Sequence, residues 1–327
     1  MRKYLKAIVA VVITAVALWL SFRKIDWGAL KSSFARIQYG WLILAVANSL
    51  LGVLLLGARW RVLLIPRATV RHRDLFRMNI LAQYANIIMP ARLGEIVRIN
   101  LGAKEPNITA PFVLGTLGAE KLLDFFVFAG LWLSVPVFLS FQQVGPGLGI
   151  AALFCLASAG IFVFFVFRPA LILKAILLFS RVFPKTAIER TGRWAEQGLE
   201  AFQAFRSPRA IIFILLWTIL IILNQVLTNY LVLQGARLVL PFQASLLVLL
   251  ALQAGALPPA APGRIGIYEY SVILALSVFA VPPGPALSGA VLLHLVVYLP
   301  KILLGGAFLM LWKSKQERVR GDRLESR

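Results

Sequence analysis

"NIIMPARLGEIVRINLG", residues 86–102, carries Arg92, Glu95 and Arg98 within seven residues, in a chain whose other long segments are mostly Leu, Val, Ile, Ala and Phe. Pro90 removes a backbone donor and breaks a helix. At membrane depth, broken backbone survives only when buried in protein or lining a wet cavity. The stretch therefore predicts two short half-helices within 75–102, hinged near Met89 and Pro90.

The surrounding composition places this hinge in a membrane. Of 327 residues, 60% are hydrophobic and 14% charged, against about 25% charged in soluble proteins. Several apolar runs reach the roughly 18 residues that suffice for a transmembrane helix. The segment Ile8–Phe22 follows "MRKYLK" and runs into "RKIDWGALK" without a small-residue cleavage site, so it is read as a retained helix rather than a signal peptide. The net charge of +21 comes from basic residues at helix ends and in a few loops. That is the positive-inside pattern of a membrane protein and argues against a nucleic-acid partner. Residues 59–77 hold six arginines, beginning at Arg59, and form the densest basic loop, assigned to the cytoplasm.

Hydrophobic segments and loop charges predict an all-α integral membrane protein. Six full spans fall at about 7–22, 40–58, 109–139, 149–167, 210–233 and 287–312. Two broken re-entrant hairpins, 75–102 and 242–280, bring the membrane elements to eight; a rival count treats the hairpin arms as full spans. The first hairpin opens to the cytoplasm and the second, followed by the uncharged "VPPGPALS", to the outside. Residues 1–312 form one polytopic domain, and 313–327 a basic, disordered cytoplasmic tail. Both termini are then cytoplasmic.

The opening stretch has an echo. "PARLGE", Pro90–Glu95, is matched by "PGRIGIYE", Pro262–Glu269. Each half reads helix, helix, broken hairpin, helix, the first starting inside and the second outside. This is the layout of inverted repeats in secondary transporters, here 7–139 and 149–312.

Polar groups follow each motif within a long helix: Glu120 and Asp124 in the first half, His294 and Tyr298 in the second. Asp124 lies about 20 Å along its helix from Pro111, near mid-membrane. Spacing i, i+4 puts both carboxylates on one face. At that depth each charge costs at least about 2.5–3.5 kcal/mol, so the pair requires cations or a proton. Arg92, Arg98 and Arg264 are the candidate cations, with Lys121 three residues from Asp124. Such groups form either a buried ion network or a site for a charged headgroup. His294 reads as a packing histidine, and Asn224, Gln225 and Asn229 as groups that hold helices together.

Signatures of catalysis are missing: there is no Gly-rich phosphate loop with Lys-Ser/Thr, no His-Glu-x-x-His and no Gly-x-Ser-x-Gly. With only Cys155, His72 and His294, no Cys or His metal cluster or disulfide framework exists. No cofactor, no metal and no enzymatic activity are expected.

"PARLGEIVR" (Pro90–Arg98), "EKLLD" (Glu120–Asp124) and "PGRIGIYE" (Pro262–Glu269), in that order, resemble the flippase-like family named after the membrane region of lysylphosphatidylglycerol synthetases. In that family the middle motif usually has Arg where Lys121 stands, and the last motif Gly where Arg264 stands. The chain looks like a stand-alone member without the aminoacyl transferase domain. The resemblance implies a lipid transporter or flippase of the bacterial inner membrane, moving a phospholipid, hopanoid or isoprenoid-linked lipid with an anionic or zwitterionic headgroup. The alternative is a membrane enzyme or accessory subunit in lipid-linked sugar or envelope lipid synthesis. The residues expected to bind or gate are Asn86, Pro90, Arg92, Gly94, Glu95, Arg98, Glu120, Asp124, Pro262, Gly263, Arg264, Gly266, Tyr268, Glu269 and His294. The arginines would contact phosphate, and the acids would orient them.

Overall fold

The structure, a computed structural model, describes residues 16–21, 28, 34–89, 93–139, 194–257 and 261–325. Pro90, Arg92, most of the first expected helix and the expected helix at 149–167 lie outside these residues.

All described secondary structure is helical, as hydrocarbon demands: a helix satisfies its own backbone without water. Three described helices are long and apolar enough to cross a membrane: α1 (Tyr39–Leu64), α5 (Pro208–Gly235) and the Pro283–Leu311 part of α8 (Pro283–Glu325). A fourth, α4 (Ala110–Leu139), matches the expected 109–139 closely. The outward faces carry exposed Ile43, Leu51, Ile212, Ile219 and Leu303. The chain is thus a multi-pass membrane protein.

α1 and α5 run antiparallel and form the central pair. The Gln38 amide donates to the Gly235 carbonyl at 2.9 Å, joining the start of one helix to the end of the other. Midway, Asn224 Nδ2 donates to Asn48 Oδ1, and Asn48 Nδ2 to the Asn224 carbonyl and Thr228 Oγ1, each at 2.8 Å. Farther along, Arg59 donates to Thr218 Oγ1 at 3.3 Å. These side chains fix the register of two otherwise featureless apolar surfaces.

Each member of the pair leads into a broken hairpin. α2 (His72–Ile88) and α3 (Gly94–Gly102) form the first, α6 (Phe242–Ala254) and α7 (Ile267–Ser277) the second. At 1.5 Å per residue α3 is about 14 Å long, half of a hydrocarbon core of about 30 Å. α3 folds back along α2, its Gly94 amide donating to Asn86 Oδ1 at 2.8 Å. A Cβ at Gly94 would collide with the Ala82 carbonyl and the Asn86 amide. Gly94, expected to bind or gate, is a close-approach glycine between α2 and α3.

α3 packs on α4, and α7 on α8. Between α6 and α7, Pro262–Arg264 form a 3-10 turn, with left-handed φ values at Gly263 (70°), Arg264 (56°) and Gly266 (87°). This turn packs against α2, near the Ile87 carbonyl, so the two hairpins meet at their inner ends. One apolar core gathers Trp60, Leu63, Leu75, Phe112, Leu117, Phe205 and Ile214 at one end of the α1–α5 pair; the other gathers Ala45, Val232, Val248, Val272, Leu276 and Leu293 at the opposite end.

Two expectations are corrected. The helix expected over 40–58 continues to Leu64, because Trp60, Leu63 and Leu64 are buried. Arg59 is thereby inside the protein, not in a cytoplasmic loop. The tail expected to be disordered is helical through Glu325; its Lys, Gln, Glu and Arg are strong helix formers.

Gly94→Val should lower the unfolding midpoint in detergent markedly, at a cost of about 1–3 kcal/mol from overpacking. Thermal unfolding of the purified variant checks this; an unchanged midpoint would mean α3 does not press on α2.

Candidate functional site

Three helices, α1, α3 and α4, bring an ionic network together at the first hairpin. Glu120, 3% exposed, accepts two hydrogen bonds from Arg98, at 2.7 and 3.2 Å. Arg59, 2% exposed, donates to both carboxylate oxygens of Asp124, at 2.6 and 3.2 Å, and its Nε lies 3.8 Å from Glu120. The i, i+4 spacing predicted from sequence does place both acids on one face, and each meets a fork of guanidinium donors. The Arg98 guanidinium lies over the Trp60 ring at 3.9 Å, and Trp60 Nε1 donates to Thr116 at 3.0 Å. The network holds two cations and two anions, so its charge balances. Asp124, with 30% of its side chain exposed, is its open edge.

Arg98 is thus one of the partners foreseen for the acids. Arg59 was missed, having been counted with the basic loop. Two carboxylates on one buried face call for a second cation, and Arg59 is the nearest arginine to follow an apolar run; that requirement was the available signal. Lys121 turns away from Asp124 to Glu95, 3.2 Å away. Both are substantially exposed, so this pair contributes about 0–1 kcal/mol. Glu95 therefore orients no arginine among the described residues.

At the second hairpin Glu269 also takes other partners than those expected. One oxygen accepts the Gly266 amide at 2.6 Å, capping α7; the other lies 2.5 Å from His294 Nδ1 on α8. Tyr268 stacks on His294 with centroids 4.4 Å apart, and Tyr298 meets both rings edge-on, at 5.5 and 4.3 Å. His294 is both packed and hydrogen-bonded to Glu269. This cluster ties the hairpin turn to the long helix behind it.

Between the two clusters lies a cavity of about 200 Å³ with a mixed lining, apolar from Leu56, Ile221, Leu249, Leu252 and Val297 and polar elsewhere. Ser49, Gly52 and Val53 of α1 and Asn224, Gln225 and Asn229 of α5 line it, as do Gln83 of α2 and Gln253 of α6. These positions fall near the middle of α1 and α5. Arg264 enters from the turn, and Tyr298 and Lys301 from α8. Among the described residues no carboxylate lines the cavity. Of the expected site residues that the structure describes, only Arg264 and Tyr268 reach it. Asn224 does hold α1 to α5, and Asn229 donates to the Ser245 carbonyl at 3.1 Å, yet both also face the cavity. Lys301 went unremarked in the sequence, although a lone lysine inside an apolar helix is itself a signal. Asn86 and Gly94 serve the hairpin backbone instead. Among the described residues no group of His, Cys, Asp and Glu is placed to hold a metal ion.

Residues 7–305 match the family described as the lysylphosphatidylglycerol synthase TM region, and the chain belongs to that family. No curated protein matches it.

Breaking the network from one side leaves a buried charge without its partner, at about 3–5 kcal/mol. Arg98→Ala and Glu120→Gln should each lower the unfolding midpoint strongly. The apolar pair Arg98→Met with Glu120→Leu should recover most of the loss. Denaturation of the three purified variants checks this; equal losses in all three would argue against a charge-pair origin.

Proposed function

From this membership and this geometry, we propose that the chain is a lipid transporter that moves, and does not chemically modify, an amphiphile between the leaflets of a bacterial inner membrane. The substrate class is a phospholipid, hopanoid or isoprenoid-linked lipid. The observation that carries the reading is the cavity with polar and cationic groups near the middle of α1 and α5, where two broken hairpins meet inside an apolar bundle. A headgroup crossing hydrocarbon loses its water, and the cost of leaving its polar atoms unpaired sets the barrier. A cavity of amides, hydroxyls and cations halfway across supplies replacement partners.

The packing supports an inverted repeat of α1–α4 and α5–α8. α1 packs on α2 as α5 does on α6, and α3 on α4 as α7 does on α8. Across the halves, α2 packs on α8 and α6 on α4. In this reading both hairpins are re-entrant. The first opens to the cytoplasm, where Arg61, Arg67, Arg71 and Arg73 lie, and the second to the outside. Substrate sites in transporters of this design lie near the midplane, between discontinuous helices. The ionic network would keep α3 attached to α4, so that each hairpin shifts with the helix it packs on.

Two measurements test this. In reconstituted vesicles, Arg264→Gln and Gln253→Leu should slow translocation of a fluorescent phospholipid at least about tenfold, equivalent to about 1.4 kcal/mol; wild-type rates in both would remove the cavity from the transport path. In a Cys155→Ser background, Gly284→Cys should react with an impermeant maleimide from outside alone. Reaction only from the cytoplasm would invert the topology.

A further inference from the structure

The two charged regions differ in a way that bears on the ligand. In the network, Arg59 and Arg98 face Glu120 and Asp124, charge for charge. In the cavity, Arg264 and Lys301 face no carboxylate, and neither takes part in an ion pair among the described residues. Glu269, five residues after Arg264 in the sequence, has its oxygens committed to Gly266 and His294. Cations taken out of water without partners are costly, and proteins place them where an anion compensates. Arg264 adds a second anomaly. It holds φ at 56°, in a turn whose neighbours Gly263 and Gly266 are glycines. A non-glycine side chain is held in left-handed backbone at a cost, and such residues cluster at functional sites.

A third observation concerns the neutral lining. Gln225 Oε1 is buried and accepts no hydrogen bond among the described residues. It lines the same cavity, beside Asn224 and Asn229. An unfilled acceptor there suits a hydroxyl donor. The volume sets a further limit, because about 200 Å³ is below the roughly 300–1,000 Å³ of pockets that enclose drug-sized ligands. It admits a headgroup and leaves acyl chains outside.

We propose that this cavity binds the net-anionic headgroup of a hydroxylated phospholipid, its phosphate held between Arg264 and Lys301 and a glycerol or sugar hydroxyl on Gln225. The cavity selects against headgroups that carry an ammonium group, because Arg264 and Lys301 repel it and no carboxylate among the described residues receives it. The proposal deepens the transport reading and rests on it for the membrane origin of the ligand. Lys301→Arg keeps the charge and should bind; Lys301→Met removes it.

The test is a binding assay on the full-length chain in neutral detergent, read by native mass spectrometry and thermal shift. The probes are phosphatidylglycerol, phosphatidylcholine, lysylphosphatidylglycerol and, as a soluble arm, inorganic phosphate. Phosphatidylglycerol should bind at least about tenfold more tightly than the two ammonium-bearing lipids. Lys301→Met should abolish that preference, and Lys301→Arg should keep it. Arg264→Gly should lose the preference while its lipid-free unfolding midpoint stays level or rises, since glycine relieves the turn; this separates lost binding from lost folding. Equal affinity for lysylphosphatidylglycerol, or full preference in Lys301→Met, would overturn the proposal. Saturation by inorganic phosphate at the same concentrations as lipid would overturn the lipid assignment. Selective binding without translocation in vesicles would sink the transport reading alone and leave this site standing.

Discussion

A polar group in hydrocarbon must find its partner inside the protein, and the arrangement of this chain follows from that constraint. The backbone meets it with helices. Asn48, Asn224 and Thr228 meet it across the α1–α5 seam and in doing so set that seam's register. Arg59, Arg98, Glu120 and Asp124 meet it by mutual neutralisation, which requires α1, α3 and α4 to converge at one place. Remove the constraint, and neither the short α3 nor the position of α4 has a cause. In the cavity the constraint is only partly met, since Gln225 Oε1 accepts no hydrogen bond and Arg264 and Lys301 join no ion pair among the described residues, and the functional reading concentrates there.

The two hairpins solve the same geometric problem with different chemistry. The first is tied to its long helix by a bidentate guanidinium–carboxylate pair, Arg98 with Glu120, which also packs against Trp60. The second is tied by a single imidazole–carboxylate contact inside a group of aromatic rings. Guanidinium stays charged under all ordinary conditions, and two parallel hydrogen bonds fix its angle as well as its position. The first attachment is therefore the stiffer. Asp124, partly open, and Arg264, partly buried, stand at the inner margins of these two attachments.

Much of this was legible in the sequence. The breaks near Pro90 and at Pro262–Gly266 located both hairpins, and apolar length located α1, α4, α5 and α8 to within a few residues at most ends. The i, i+4 pair at Glu120 and Asp124 declared a buried demand for cations. What remained hidden has physical reasons. Arg59 sits in a run of arginines that resembles a loop, and only the burial of Trp60 and Leu63 shows that the helix continues past it. Glu95 and Lys121 are far apart in sequence and meet only because α3 folds back against α4. Glu269 was expected on an arginine, yet capping its own helix is the shorter-range option, and local hydrogen bonds win when geometry allows them. Lys301 lies in an apolar helix whose depth no single position reveals.

The size of the central cavity has a consequence for the membrane around it. A chamber with room only for a headgroup has no means of measuring fatty-acid length, branching or unsaturation. Cells remodel those tails when temperature changes, to hold bilayer fluidity constant. On the proposed reading, in which the protein touches only the polar end of its lipid, it would be insulated from that adjustment, and its selectivity would carry over from a cold membrane to a warm one.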